Sequence, residues 1–409
     1  MEILYPHCAG LDVHKKTVVV AVRVVEGRGV RTEVRRFATT TAALLVLADW
    51  LAAEEVTHAV LEATGVYWKP VWHVLEGTVE LVLANAAHVK QVPGRKSDVN
   101  DAQWLAELLA HGLIRGSFVP PAPVQELRDL TRTRKQLGRE RTQHNLRIQR
   151  VLEDANIKLG SVISEVLGVS GRAILAALIA GEQDPERLAA AAQGRLKCPP
   201  EELIEALRGR VTAHHRFLLG EHLKMVDHLQ AGIAAFDAEI GRRLEPFPPV
   251  VDRLVAIPGV SWVAAQAIVA ELGVDMTRFP TVGQLRSWAG LCPRLDESAG
   301  KRRSTRIRKG APWLKAMLVQ CAKAAARAKG TYLQAQYQRL KSRRGGKKAA
   351  VAVAASILTA VYYMLRDGVE YRDLGADHFT RRDKGKIAHR LARRIKDLGY
   401  EVDMRPVAA

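Results

Sequence analysis

The chain has 409 residues, enough for two or three domains, and 48% of them are hydrophobic, enough for buried cores. Lysine and arginine number 62 against 43 aspartate and glutamate, so the formal net charge is +19, which indicates a polyanionic partner, and nucleic acid is the expected one. No run of about 18 uninterrupted apolar residues and no signal peptide are evident, so no membrane association is expected. The four cysteines lack paired spacing, which suits a reducing cytoplasm and argues against a zinc site.

The N-terminal part of the chain alternates between apolar strand-like runs and helical patterns. Three opening strands followed by strand–helix alternation are typical of a mixed α/β sheet. The predicted strands are 8–13, 17–25, 31–38, 57–62 and 79–84, and the predicted helices are 40–53, 66–76 and 98–112.

Four acidic residues fall at the ends of these elements. Asp12 ends the first strand and Glu62 ends the strand at 57–62. Asp98 and Asp101 are three residues apart at the start of a helical pattern, so both can share one face. Such acids can surround two Mg²⁺ ions, roughly 3.5–4 Å apart, which clamp the attacking and leaving oxygens of a phosphodiester. The same residue types also serve as turn and N-cap residues, and spacing alone leaves both interpretations open.

Three segments that contain these acids resemble the DEDD-type, RuvC-like domain of an insertion-sequence transposase family. They are residues 10–15 (Gly-Leu-Asp-Val-His-Lys), 61–67 (Leu-Glu-Ala-Thr-Gly-Val-Tyr) and 96–102 (Lys-Ser-Asp-Val-Asn-Asp-Ala). Members of this family join that domain to a C-terminal serine domain and use a bridge RNA. The resemblance implies an RNase H-like fold, with Asp12, Glu62, Asp98 and Asp101 as catalytic ligands of Mg²⁺.

A long helix is predicted after the prolines at 120–123, from Val124 to about Leu159. Four basic residues recur along it at helical spacing, with few compensating acids. This face either follows nucleic-acid phosphates, which the charge surplus favours, or is a solvated charged face. The four residues are Arg128, Arg132, Lys135 and Arg139.

Residues 209–245 contain no proline and carry a seven-residue apolar repeat. Leu219, Val226, Ile233 and Ile240 mark a coiled-coil seam of about three to four heptads. A helix packed within the same chain and an intermolecular coiled coil both fit this pattern. The family resemblance favours a dimerising or spacer coiled coil.

A Pro-Gly turn at 258–259 lies between two short apolar helical patterns and resembles a helix-hairpin-helix element. Backbone N–H groups of such a turn can hold a phosphate. The same turn also serves plain helix packing, so the pattern is compatible with both.

A second resemblance to the same family lies at residues 288–309. In that family a Gly-Leu-x-Pro segment precedes a serine that is closely followed by glycine; here Gly290-Leu291-Cys292-Pro293 precedes Ser298-Ala299-Gly300. The resemblance implies that Ser298 is the nucleophile, with Ser287 and Ser304 as nearby rivals. Basic residues follow that can bind nucleic acid and stabilise a pentavalent phosphate. They are Lys301, Arg302, Arg303, Arg306 and Arg308.

These patterns predict an α/β RNase H-like (RuvC-like) N-terminal domain, then a helical coiled-coil segment, then a mostly helical serine transposase domain with a helix-hairpin-helix-like element. The predicted boundaries are 1–120 for the DEDD domain, 121–245 for the basic helix and coiled coil, 246–345 for the serine domain, and 346–409 for a C-terminal helix and basic tail.

The expected function is that of a DNA transposase, which cuts and rejoins DNA through a serine–DNA intermediate with Mg²⁺ and is guided by a structured RNA. A metal-dependent nuclease that hydrolyses DNA is the alternative. The charge and the lack of a later Gly-rich nucleotide motif argue against a sugar-kinase-like ATPase, and metal-dependent strand cleavage would eliminate a non-catalytic RNA-binding protein. The expected partners are donor and target DNA, the guide RNA, and further copies of the chain as a homodimer assembling into a tetramer. The expected location is the cytoplasm.

Overall fold

The apolar runs near the N-terminus form a mixed sheet. The computed structural model describes residues 2–27, 29–62, 65–85, 89, 101–194, 196–245, 248–293, 296–304, 306–379 and 384–404. Within these residues, five strands form a sheet of order β3-β2-β1-β4-β5, antiparallel from β3 to β1 and parallel from β1 to β5. The predicted strands are confirmed to within one or two residues at each end. They are β1 (His7–Val13), β2 (Thr17–Glu26), β3 (Gly29–Ala38), β4 (His58–Glu62) and β5 (Glu80–Ala84).

Helices cover both faces of this sheet, because successive side chains of a strand point to opposite faces. Leu11 and Leu61 lie on one face and share a core with the first two helices. Cys8 and Val60 lie on the other face and pack against the third helix. The predicted α/β character of the N-terminal part is confirmed, although residues 98–100 of the predicted third helix lie outside the described residues. The helices are α1 (Thr41–Ala53), α2 (Trp68–Leu75) and α3 (Asp101–Ala110).

The chain divides into two units, Met1–Val119 and Pro120–Ala409. The second unit is helical apart from a short hairpin, as the sequence predicts. Its first helices are α4 (Ala122–Asp154), α5 (Leu159–Val162), α6 (Val169–Ala180), α7 (Pro185–Ala190), α8 (Pro200–Ala206) and α9 (Ala213–Leu244).

The two long helices α4 and α9 pack against each other in antiparallel orientation. Glu126 of α4 forms an ion pair with Arg243 near the end of α9, whereas Asp154 at the end of α4 lies 3.0 Å from His215 near the start of α9.

The seven-residue apolar seam of α9 faces α4 of the same chain. Leu219 and Val226 are buried in one core with Ile148 and Leu152 of α4. This packing supports the intramolecular alternative for the seam. Ile233 of the same repeat is half-buried, whereas Leu219, Val226 and Ile240 are buried within the chain and are not available to pair two chains.

The rest of the second unit consists of further helices and a short β-hairpin. Its elements are α10 (Pro248–Val255), α11 (Trp262–Leu272), α12 (Val282–Trp288), β6 (Asp296–Ser298), β7 (Lys301–Ser304), α13 (Pro312–Ala325), α14 (Tyr332–Arg344), α15 (Gly346–Asp367) and α16 (Lys384–Asp397).

The predicted Pro-Gly turn connects α10 to α11 and lies directly against α13. Gly259 has a φ of 86°, and a Cβ atom there would lie 2.4 Å from the carbonyl oxygen of Cys321. Only glycine allows this approach. The contact favours the helix-packing interpretation of the turn over the phosphate-binding one.

Of the described helices, only α15 is long and apolar enough to cross a membrane, judged by length and composition. Its apolar window is 56% buried, and α15 packs against α13 and α14. The alanine-rich run from Ala349 to Leu365 therefore lies in a helix that packs within the second unit.

Candidate functional site

Two strand ends bring acidic residues together at one edge of the N-terminal sheet. In the parallel ladder of β1 and β4 the last pair is Leu11 with Leu61, and Asp12 and Glu62 directly follow these residues. Neighbouring strands lie about 4.7–4.9 Å apart, so the two acids occupy adjacent backbone positions. Because side chains alternate along a strand, both acids lie on the face opposite Leu11 and Leu61, which is the face that α3 covers.

The start of α3 lies beside the same part of β1. A Cβ atom at Gly10 would lie 2.1 Å from the carbonyl oxygen of Ala102 and 2.5 Å from the amide nitrogen of Ala106, so only glycine fits there. Asp101, the first residue of α3, precedes Ala102 and is exposed. A carboxylate is favourable at a helix N-terminus. The close approach at Gly10 therefore brings a third acid to the edge that carries Asp12.

Two other residues near Asp12, His14 and Cys8, carry side chains of types that can bind metal ions. The Asp12 carboxylate lies 3.1 Å from Nε2 of His14, which is exposed. Cys8, on the same strand, donates a hydrogen bond from its thiol to the carbonyl oxygen of Ala106. Burial raises the pKa of Cys8 to about 11, so the thiol stays protonated and is not a metal-ligand candidate.

The predicted fourth acid, Asp98, lies outside the described residues, so its position is not part of this geometry. Among the residues that the structure does describe, no three His, Cys, Asp or Glu side chains form a group that could hold a metal ion. The donor chemistry of Asp12, Glu62 and Asp101 nevertheless fits a hard divalent cation, because carboxylate oxygens are the ligands that Mg²⁺ prefers.

Ser298 ends the first strand of the hairpin in the second unit. It pairs with Lys301 across a two-residue turn. The turn residues Ala299 and Gly300 have φ values of 51° and 72°, the left-handed geometry of a tight hairpin. The Ser-Ala-Gly sequence therefore places Ser298 at the last strand position before the turn.

Two glycines close the base of the segment that carries this hairpin. Gly290 and Gly310 lie backbone to backbone, and a Cβ atom at Gly310 would lie 2.3 Å from the amide nitrogen of Gly290. Pro293 also pairs with Ile307 as an isolated bridge. The Gly-Leu-x-Pro segment therefore has a structural role, since it holds together the two ends of the segment that contains the hairpin.

The hairpin segment presents its cations to solvent. The structure describes the backbone of Ser298 and Arg302 and not their side chains. The exposed basic residues of the segment are Lys301, Arg303, Arg306, Arg308 and Lys309.

The two rival serines already have partners. Ser304 accepts a hydrogen bond from the amide of Arg306 at 3.2 Å, and half-buried Ser287 lies 3.5 Å from Nη1 of Arg308.

Part of the predicted basic face of α4 packs inside the second unit. Arg132 binds the buried carboxylate of Glu271 through two hydrogen bonds, both 2.8 Å long. Arg128 donates a hydrogen bond of 3.0 Å to the carbonyl oxygen of Ala270, and burial lowers the pKa of Arg128 to about 10. These two arginines hold α4 against α11, and such internal contacts do not support the prediction that they follow nucleic-acid phosphates.

The other two predicted basic residues of α4 surround a tryptophan. Nζ of Lys135 lies 5.9 Å from the ring centre of Trp313, and the guanidinium carbon of Arg139 lies 5.4 Å from it. These distances allow cation–π attraction.

Glu271 and Trp313 were not among the residues that the sequence singles out. A lone acid inside the apolar run from Ala264 to Leu272 is a signal of a buried ionic contact, because an unpaired buried carboxylate is costly. Trp313 follows a helix-starting proline and carries no local signal that separates it from a core aromatic residue.

Two family models match the chain. Residues 9–157 match a DEDD transposase model of the IS110 type, and residues 251–338 match the model of the transposase family IS116/IS110/IS902. No curated protein matched the chain. The two matched regions contain the acidic edge and the serine hairpin, respectively.

Proposed function

Since the chain belongs to the DEDD transposases of the IS116/IS110/IS902 type, it is an insertion-sequence transposase, and we propose that it cuts and rejoins DNA through a covalent bond between Ser298 and a DNA phosphate. The observation that carries this proposal is the place of Ser298 in the region 251–338. It ends β6 immediately before a left-handed turn, in a segment whose cations are exposed. Surface loops and turns commonly carry the groups that act on large substrates such as DNA.

We place the N-terminal unit in the RNase H-like fold, of the RuvC-like type. Support comes from its sheet, in which antiparallel strands β3, β2 and β1 continue into parallel β4 and β5, and from helices on both faces. The acids lie at the carboxyl ends of β1 and β4, where open α/β sheets usually carry their sites. The finer division at 120, 245 and 345 belongs to the same proposal.

DEDD-type transposase domains use divalent metal ions. We assign Asp12, Glu62, Asp98 and Asp101 as the residues that would hold them, and two Mg²⁺ ions as the fitting cofactor. When bound, such ions polarise phosphoryl oxygens and offset the charge that builds up during phosphoryl transfer. The carboxylates of Asp12 and Glu62 would come from two rigid strands, and that of Asp101 would come from the start of α3.

The reaction at Ser298 is a transesterification. The Oγ atom attacks the phosphorus and loses its proton, while the bond from phosphorus to the leaving deoxyribose oxygen breaks and that oxygen gains a proton. One phosphoester bond replaces another, so the step can run backwards to rejoin a strand. The exposed cations of Lys301, Arg303, Arg306 and Arg308, together with Arg302, would offset the charge of the pentavalent phosphate.

The proposed partners are donor DNA, target DNA and a structured guide RNA that selects the DNA by base pairing. The net charge of +19 supports a polyanionic partner. A homodimer that assembles into a tetramer would supply the several serines that strand exchange needs. Because the apolar seam of α9 is buried against α4, the chains would pair through other surfaces. We expect the protein in the cytoplasm.

The test is a search for a protein–DNA adduct. The substrate carries a nick beside the cleavage site, so that the leaving strand diffuses away and the intermediate accumulates. We expect the wild-type chain, with Mg²⁺ and guide RNA, to yield an adduct that survives denaturation and maps to Ser298. Ser298→Ala should yield none.

Ser304→Ala is the matched control, because it removes a hydroxyl group from the paired strand of the same hairpin; it should still form the adduct. If the DNA is cut equally well by Ser298→Ala without any adduct, the chain is a metal-dependent hydrolytic nuclease instead.

A further inference from the structure

A cavity of about 460 Å³ lies within the second unit, between α4, α9, α11 and α13. This volume falls in the range of small-molecule sites. Cations of α4 line one side, and an aromatic and apolar wall lines the other. The residues that matter for its chemistry are Lys135, Arg139, Ile233, Val263, Trp313 and Met317.

Most of the charged residues around the cavity have partners within the chain. Arg132 is bound to Glu271, and Arg134 forms an ion pair with Asp237 of α9. Arg141 donates a hydrogen bond to the side chain of Gln230. These contacts build the walls and leave the charges of Arg132 and Arg134 largely neutralised.

Lys135 and Arg139 are different. Nζ of Lys135 is buried and has no hydrogen-bond partner among the described residues. Arg139 is exposed and lies over the ring of Trp313. Burial, and then the charge of Arg139, lower the pKa of Lys135. A buried ammonium group without an acceptor is costly, and a nearby second cation adds to that cost, so the pair would gain from an anion.

The opposite wall identifies the kind of anion. Inorganic phosphate alone would leave the space beside Ile233, Val263 and Met317 unfilled. A nucleotide satisfies both sides, because its phosphate accepts hydrogen bonds from cations and its base is flat and largely apolar on its faces.

We propose that this cavity binds one nucleotide of a single-stranded segment, with its phosphate at Lys135 and Arg139 and its base against the apolar wall. A base within a duplex is paired and stacked, so it cannot enter such a cavity. The inference rests on the proposed function, which supplies two sources of the nucleotide: the guide RNA and an unpaired DNA strand. Neither Ser298 nor any residue of the N-terminal unit lines the cavity.

The test measures binding by the full-length protein with EDTA present, so that the result does not depend on DNA cutting or on the serine adduct. The probes are a fluorescent single-stranded oligonucleotide, made as RNA and as DNA, and a duplex of the same sequence. Lys135→Gln should weaken binding of the preferred single strand about tenfold, because a charged hydrogen bond is lost. Comparison of the RNA and DNA strands identifies the source.

Arg150→Gln is the matched control: it removes one charge from an exposed site on the same helix, outside the cavity. It should weaken single-strand and duplex binding only slightly and equally. Lys135→Gln should also melt at the same temperature as the wild type or higher, because it removes an unpaired buried charge. Equal losses for the two variants, or a lower melting temperature without a binding defect, would overturn the proposal.

Discussion

The acidic edge of the N-terminal unit and the serine hairpin of the C-terminal unit hold their proposed functional groups by opposite means. Asp12 and Glu62 directly follow paired residues of two parallel strands, and the adjacent strand residues Leu11 and Leu61 are fully buried. Ser298 lies in a short hairpin whose neighbouring residues are exposed and whose turn contains Ala299 at a φ of 51°.

The difference corresponds to what each group would do. Carboxylates that repel each other stay close only on a rigid support, and a buried sheet edge provides one. A nucleophile that must meet DNA benefits from an exposed position on a loop. The acidic edge requires a tight backbone contact at Gly10, and the serine hairpin requires a left-handed conformation at Ala299.

Neutralising the acids should have the largest effect. Asp12→Asn, Glu62→Gln and Asp101→Asn should each lower strand transfer by at least about a thousandfold, as expected for loss of catalytic groups. The same holds for Asp98→Asn. Melting temperatures should stay equal or rise slightly, because like charges no longer repel. The measurements are transfer of a labelled DNA strand and differential scanning calorimetry.

Asp49→Asn is the control for these variants, since Asp49 is an exposed acid of α1 in the same unit. It should transfer strands at the wild-type rate. Wild-type transfer by any of the four acid variants would remove that residue from the site.

Loss of the Glu271 carboxylate should have the next largest effect, which is a fall in the stability of the unit that carries the hairpin. Its carboxylate is 5% exposed and binds Arg132. Glu271→Gln leaves mostly buried Arg128 and half-buried Arg132 without their counter-ion, so the free energy of unfolding should fall by about 3–5 kcal/mol. Urea unfolding followed by circular dichroism measures it.

Glu239→Gln provides the comparison, since Glu239 pairs with Arg242 and Arg243 on an exposed turn of α9. Its unfolding free energy should not change measurably. Equal stability of both variants would show that α4 and α11 are held together by apolar packing rather than by the ion pair.

Adding or removing a single methyl group should change the stability of the two regions by smaller and different amounts. Gly10→Ala places a Cβ atom against the backbone of α3 and should cost about 1–3 kcal/mol. Ala299→Gly removes a Cβ atom from a left-handed turn residue and should cost nothing, because relief of the strain offsets the added chain entropy. Thermal unfolding of each variant measures the difference.

Gly241→Ala is the control for an added methyl group, because a Cβ atom there meets nothing within 4 Å in helix α9. It should stabilise the chain by about 0.5–1 kcal/mol. If Gly10→Ala is equally harmless, α3 can shift away from β1, and the acidic edge is less rigid than the contact suggests.

The sequence by itself determined the local elements and the positions of the acids along them. Runs such as Val18 to Val25 contain enough β-branched residues to predict strands, and their ends agree with the structure to within one or two residues. Asp12 and Glu62 follow such runs directly, so their place at strand ends was predictable. These features depend on neighbours in the chain, which is why a pattern of single residues records them.

Only the tertiary structure decided which surfaces are used inside the protein. The periodicity of α4 predicts a basic face but not that Arg132 meets Glu271, a residue 139 positions away. The heptad stripe of α9 likewise fits a partner helix from this chain or from another, and the buried contact with α4 selects the first. Charge and hydrophobic periodicity specify the kind of partner that a face requires, whereas which distant segment supplies that partner depends on how all the helices pack together.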